Sequence, residues 1–137
     1  MSAMHEEQEV LGTLMVGNGY YRFLIGLRPH HFVDPLHAVI YDDIVRRIEV
    51  GEPVDAVVLR DVYRARGMAH WFGPPDAPGA YLAQLLSAFD QHRATASPRD
   101  RMRVCKYAII AAWRERMEVE ARSFWDELAA PPQEPQS

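Results

Sequence analysis

Between Asp34 and Gly67 the sequence sets out two helices whose starts and stops each have a physical cause, and no other stretch restricts the fold as tightly. Asp34 can cap the free amides of a first turn, and Pro35 occupies the first helical position, where its missing N–H costs nothing. Leu36, Ile40, Ile44 and Ile48 then recur every four residues, widened by Val39 and Val45, while Asp42, Asp43, Arg46, Arg47 and Glu49 fall elsewhere on the wheel. Gly51 suits the left-handed stop, Pro53 cannot continue the helix, and Asp55 can cap the next one. In that second helix Val58, Leu59 and Val62 form the expected buried side and Arg60, Asp61, Arg64 and Arg66 the wet one, until Gly67 ends it. The two helices are predicted to pack as a hairpin around which the rest is organised.

The flanks follow the same helical period. Val10, Leu11, Leu14 and Met15 share a face of a first helix predicted over about His5 to Val16, ended by Gly17-Asn18-Gly19. A short helix through Tyr20, Phe23 and Leu24 is broken by Gly26 and Pro29, and Phe32 is placed to fill the space beside the hairpin. Residues 68 to 79 carry three prolines and two glycines after Trp71-Phe72 and predict a loop. Trp71 and Phe72 are candidates for a partner-binding loop, weighed against the commoner alternative that they fold back as a lid. A helix over Ala80 to Phe89 carries Leu82, Leu85, Leu86 and Phe89. Ser97 and Pro98 then open the longest helix. Its first half turns Met102, Cys105, Ile109 and Ala112 inward; its second presents Ile110, Trp113, Met117, Ala121, Phe124 and Leu128 on a shifted stripe that runs past the end of a small bundle. The 129–137 tail lacks core-forming residues and predicts a flexible end.

Several of these segments together resemble a known family. The helix opened by Pro35-x-His37 and followed by Ile40-Tyr41, then Gly51-Glu52-Pro53-Val54-Asp55, a Val- and Leu-rich helix and Arg66-Gly67, is similar to the N-terminal domain of the bacterial replicative DNA helicases of the DnaB family. Glu7-Gln8-Glu9-Val10-Leu11-Gly12-Thr13-Leu14 resembles that domain's opening, Leu27-x-Pro29-x-x-Phe32 its Leu-x-Pro-x-x-Phe, and Tyr81-Leu82-Ala83-x-Leu85 and Tyr107-Ala108-x-Ile110 its later helices. The likeness covers about residues 5 to 120 in order, with a longer 68–79 loop than the family usually has. It implies a collar domain that pairs with itself into a dimer or higher ring and contacts primase or a helicase loader. A free-standing adaptor or inhibitor that mimics the collar, and docks on a replicative helicase or its loader, is the alternative from a different class.

Composition narrows the chemistry. A 137-residue chain that is 48% hydrophobic can bury one core and is too short for two ordinary domains. A net charge of -4 argues against phosphate-backbone gripping as the main task, so nucleic-acid contact is expected to be weak or none. Fourteen of the 15 basic residues are arginine, leaving Lys106 alone. They cluster as Arg60, Arg64 and Arg66 and as Arg93, Arg99, Arg101 and Arg103, faces expected to be solvated and balanced by Asp61 and Asp100. The single cysteine allows no internal disulfide. No apolar run approaches the roughly 20 residues that span a bilayer, and Met1 to Glu7 lacks a signal pattern, so a cytoplasmic protein without membrane contact is expected.

Two chemical readings rank below association. His30, His31 and His37 with Asp34 offer metal donors within eight residues, but Asp34 is wanted as a cap and nothing makes the donors converge. Solvent-facing His30 and His31 with a structural His37 is the preferred reading, and a metal-dependent enzyme a distant third; a zinc-induced rise in Tm lost in His31→Ala would restore it. Gly12 to Gly19 has the glycine spacing of a phosphate loop without its lysine and hydroxyl, and it ends a helix instead of following a strand. No catalytic, cofactor or metal residue is therefore assigned. If the chain is a piece of a longer protein, the whole would be an ATP-dependent helicase.

The expectation is thus an all-α chain, a small helical bundle over 5–67 followed by a protruding hairpin over 80–128. Its self-association or partner surface is assigned to Leu82, Leu86, Phe89, Trp113, Met117, Phe124 and Leu128. Without a phosphate-binding lysine the purified chain should show no ATP turnover, and a phosphate-release assay detecting turnover abolished by changes within Gly12 to Gly19 would contradict this.

Overall fold

Helix boundaries fall close to where glycines, prolines and caps place them. The computed structural model describes residues 2–72 and 77–131, and among these the chain is all-α with no strand. The helices are α1 (Met4–Val16), α2 (Pro35–Glu49), α3 (Ala56–Ala65), α4 (Ala77–Asp90) and α5 (Pro98–Ala129), with 3-10 turns at Asn18–Phe23, Pro29–His31 and Ala69–Trp71. Asp34 accepts from the Leu36 amide at 2.8 Å, Asp55 from Val58 at 2.9 Å and Ser97 from Asp100 at 3.3 Å, so all three expected caps are made. Gly51 and Gly67 take the left-handed conformation at φ 77° and 70°, as the stops after α2 and α3 require.

One boundary moves. α4 begins at Ala77, three residues before the expected start, so Pro78 and Gly79 belong to its first turn. A proline is tolerated there because first-turn amides have no partner within the helix. Positions 73–76 of the expected loop and 132–137 of the expected tail lie outside the described residues.

The organising element is α1, not the α2–α3 pair. α1 packs against α2, α4 and α5, while α3 rests on α4. Its Val10, Leu11, Leu14 and Met15 are buried, and they meet Ile40, Tyr41 and Ile44 of α2, Leu82 and Leu85 of α4, and Met102, Cys105 and Ile109 of α5 in one core. The inward set expected for the first half of α5, Met102, Cys105, Ile109 and Ala112, is the set found. In α3 the deepest side chains are Leu59 and Tyr63, with Val58 and Val62 only partly covered. The Tyr63 hydroxyl donates to Asp43 at 2.9 Å, which joins α3 to α2 through a polar contact that apolar periodicity does not report.

Asn18 closes the far end of α1. Its amide donates to the Leu14 carbonyl at 2.8 Å and the Val54 carbonyl at 2.7 Å, and its carbonyl accepts from the Val54 amide at 3.0 Å. One side chain thus ends α1 and anchors the α2–α3 connection, using both faces of its amide.

α1 and α4 approach until their backbones touch at Gly12. A Cβ there would lie 2.0 Å from the Leu85 carbonyl oxygen and 2.8 Å from its carbon. Helix propensity favours alanine over glycine by roughly 1 kcal/mol, whereas overpacking a tight core costs roughly 1 to 3 kcal/mol and more when the obstacle is backbone. Gly12→Ala is therefore expected to destabilise by about 2 kcal/mol or more in urea unfolding, and a neutral or stabilised variant would contradict the close crossing.

Candidate interaction surface

α5 has two characters along one axis. At 32 residues it is about 48 Å long, whereas the 14-residue α4 extends about 21 Å. After Ala112 no residue of α5 is buried, and Met117, Phe124, Trp125 and Leu128 are exposed, the last three by 57%, 65% and 61%. Met117, Ala121, Phe124 and Leu128 follow helical spacing, with Trp125 beside them, so they line one face. What stands off from the bundle is this distal half.

The seven residues assigned to association divide in the structure. Leu82 is buried in the core; Leu86 and Phe89 are half-buried on α4. Trp113 is half-buried, its ring edge-on to His30 at 5.3 Å and to His31 at 4.8 Å between centroids. Met117, Phe124 and Leu128 remain available. Trp125, which the periodic stripe had passed over, joins them because a broad face takes residues three, four and eight apart.

The aromatic pair before α4 also divides. Phe72 folds back, its ring 5.4 Å from Tyr63 and 5.9 Å from Tyr81, whereas Trp71 is 53% exposed. The arginine faces carry ion pairs, three of them local, Arg60 with Asp61 at 3.2 Å, Arg93 with Asp90 at 3.0 Å and Arg99 with Asp100 at 3.5 Å, and one from the end of α3 to α2, Arg66 with Asp43 at 3.5 Å. Arg101 is different in kind. Its Nε and Nη2 grip both oxygens of buried Glu9 at 2.8 and 2.7 Å, a bidentate pair between α5 and α1.

His30, His31 and His37 do not converge on one point. His31 is buried, contrary to the solvent-facing expectation, because its ring is packed by Trp113 and its Nδ1 accepts from the Arg28 amide at 2.9 Å. A backbone amide can only donate, so the His31 proton sits on Nε2. Arg116 on α5 donates to the His31 carbonyl at 3.0 Å and secures the same corner. His30 is exposed.

His37 is fully buried and structural, as expected, in a network the sequence did not disclose. Its Nδ1 lies 2.9 Å from Glu7 Oε1, its Nε2 hydrogen-bonds the Tyr81 hydroxyl, and Glu7 Oε2 accepts from the Val33 amide at 2.7 Å. Burial, then the nearby Asp34 charge, pushes the Tyr81 phenol up to about 12. With the phenol protonated, every group is satisfied when Tyr81 donates to Nε2 and Nδ1–H donates to Glu7. In the sequence Glu7 shows only as an acidic residue suited to the first turn of α1, and its spacing from Glu9 gives no sign that both point inward. Cys105 is also buried, and desolvation first, then the Glu9 charge, raises its thiol far above the usual range, so it is a core residue and not a nucleophile.

The family model for the DnaB-like helicase N terminal domain matches residues 2–96. No curated protein and no solved structure matches the chain. Among the described residues no helix is long and apolar enough to cross a membrane.

Glu7→Ala should cost about 3 kcal/mol in urea unfolding, because it leaves buried partners on His37 and the Val33 amide unsatisfied; a loss well under 1 kcal/mol would deny the network its structural role. His31 supplies a pH signature. Burial first, then His30 and nearby Arg114, Arg28 and Arg116, hold its imidazole below the ordinary 6.5. As pH falls the unfolded chain therefore takes up this proton before the folded one, so the stability tied to neutral His31 is full above 6.5 and is lost below it. Between about pH 7.5 and about pH 5.5, wild type should lose more unfolding free energy than His31→Gln, and equal losses would contradict the assignment.

Proposed function

The chain belongs to the DnaB-like helicase N-terminal domain family, and from that membership we propose that it works in DNA replication as a protein-association domain, pairing with a second copy through the distal half of α5. The matched domain is not the ATPase part of such helicases, which agrees with the want of a phosphate lysine in this sequence. As a collar-like module in the cytoplasm it would present its ring face to a replicative helicase, a primase or a helicase loader. The observation that carries the reading is the exposed stripe of Met117, Phe124, Trp125 and Leu128 on a helix that outruns its own bundle.

The energetics favour a modest dimer. Covering these four half-exposed side chains on each of two copies yields roughly 10 kcal/mol gross, at about half of the 1.5 to 3 kcal/mol that full burial brings. Association costs at least roughly 4 kcal/mol, which leaves at most roughly 6 kcal/mol, a dissociation constant on the order of tens of micromolar from this stripe alone. A two-fold arrangement would place the same face on both sides.

Sedimentation equilibrium at high micromolar concentration should show dimer or larger species for wild type. The Met117→Glu, Phe124→Glu variant should be monomeric while keeping its helical circular dichroism, since both residues are solvent-exposed in the single copy. A strictly monomeric wild type, or a variant of unchanged mass, would overturn the self-pairing. Co-sedimentation of that monomeric wild type with an intact replicative helicase would instead favour the adaptor reading.

A further inference from the structure

We propose that His5, Glu9 and His92 form a binding site for a divalent transition-metal ion of borderline softness, zinc first, that clamps the start of α1 to the connection between α4 and α5. His5 and Glu9 stand one helical turn apart on α1, so they share a face. His92 comes from the turn just after α4, far away in sequence. Among the described residues this is the one group of three or more histidine, cysteine or carboxylate side chains whose donor atoms gather closely enough to hold an ion, all within 4.8 Å of one another.

The spacing matches zinc geometry. Ligand atoms about 2.05 Å from a tetrahedral zinc lie roughly 3.3 Å from each other. The His5 and His92 Nε2 atoms are 3.2 Å apart, and His92 Nε2 is 3.6 Å from Glu9 Oε1. Two of the three edges are therefore near their coordinated lengths, and the third closes by rotation of exposed His5. Two imidazoles and one carboxylate are a zinc donor set, and the exposure of His5 leaves a fourth position open to water. Magnesium and calcium, which want oxygen ligands, are poorly served.

Arg101 orients this site and moderates its strength. Its guanidinium holds Glu9 in place through both oxygens, and Glu9 Oε1, which has a second lone pair to offer, lies 3.6 Å from His92 Nε2. The same positive charge offsets the carboxylate, so binding should be micromolar and responsive to metal supply instead of permanent. The site is separate from His31, whose Nδ1 accepts from the Arg28 amide, from His37, which bonds Glu7 and Tyr81, and from His30, whose ring packs against His31 and Trp113.

Isothermal titration of untagged full chain with zinc chloride tests the assignment. Wild type should bind one zinc ion and gain several degrees in Tm at saturation. His5→Gln and His92→Gln should each weaken binding by about tenfold or more and abolish the Tm gain, with unchanged helical circular dichroism, whereas His70→Gln and His31→Gln should bind as wild type does. Magnesium chloride should give no binding at the same concentrations. Failure of wild type to bind zinc, binding that survives both His5→Gln and His92→Gln, or loss in His31→Gln would overturn the proposal.

Discussion

A missing side chain governs this architecture. At Gly12 the backbone of α1 lies against the Leu85 carbonyl of α4, so closely that a methyl group has no room. The apolar residues flanking that crossing, Leu11 and Leu14 on one helix and Leu82 and Leu85 on the other, are all fully buried because the axes come so near. Dispersion falls off steeply with separation, so a helix pair forced apart by an ångström would forfeit much of the contact that neighbouring side chains make. α2 and α5 then dock on the remaining flanks of α1, and α3 reaches the bundle through α4.

α1 also carries charge into the interior. Glu7 and Glu9 are both nearly inaccessible, a position that carboxylates occupy only when their partners are arranged around them. Glu7 is met by His37 and two backbone amides near the start of α2, and Glu9 by the guanidinium of Arg101 near the start of α5. An apolar core tolerates sliding of one helix along another; a carboxylate with fixed donors does not. The two acids, two residues and about 200° of helix apart, face different sides of α1 and therefore set the register in which α2 and α5 sit on it. No buried side-chain polar atom among the described residues is left without a partner, so the specificity carries no unsatisfied group with it.

Much of this was legible in the sequence, and the reasons differ by element. The caps Asp34, Asp55 and Ser97 and the stops Gly51 and Gly67 act locally, so reading residues three or four apart was enough to place them. The inward face of α5 followed from its period. What failed to show was anything depending on a partner distant in the chain: Asn18 on Val54, Glu7 on His37, Glu9 on Arg101 and His5 beside His92 are separated by 36, 30, 92 and 87 positions. Polar residues in such pairs have the same local signature as solvated ones, which is why Arg101 was grouped with surface arginines and His31 was placed in water. The primacy of α1 was hidden for a related reason, since its central glycine resembles a helix breaker until the neighbouring backbone is seen.

The uninterrupted character of α5 has a mechanical consequence. Seventeen positions separate Ala112, the last buried residue, from Ala129, and no proline, glycine or break intervenes, so about 25 Å of rod continues from the bundle without a joint. A tilt of about 5° where Cys105 and Arg101 seat the rod would sweep its tip through roughly 3 to 4 Å, enough to re-seat one side chain between others at a helix seam. The base of α5 thus acts as a fulcrum: small adjustments among the groups around Glu9 become shifts large enough to change which neighbour the tip can grip.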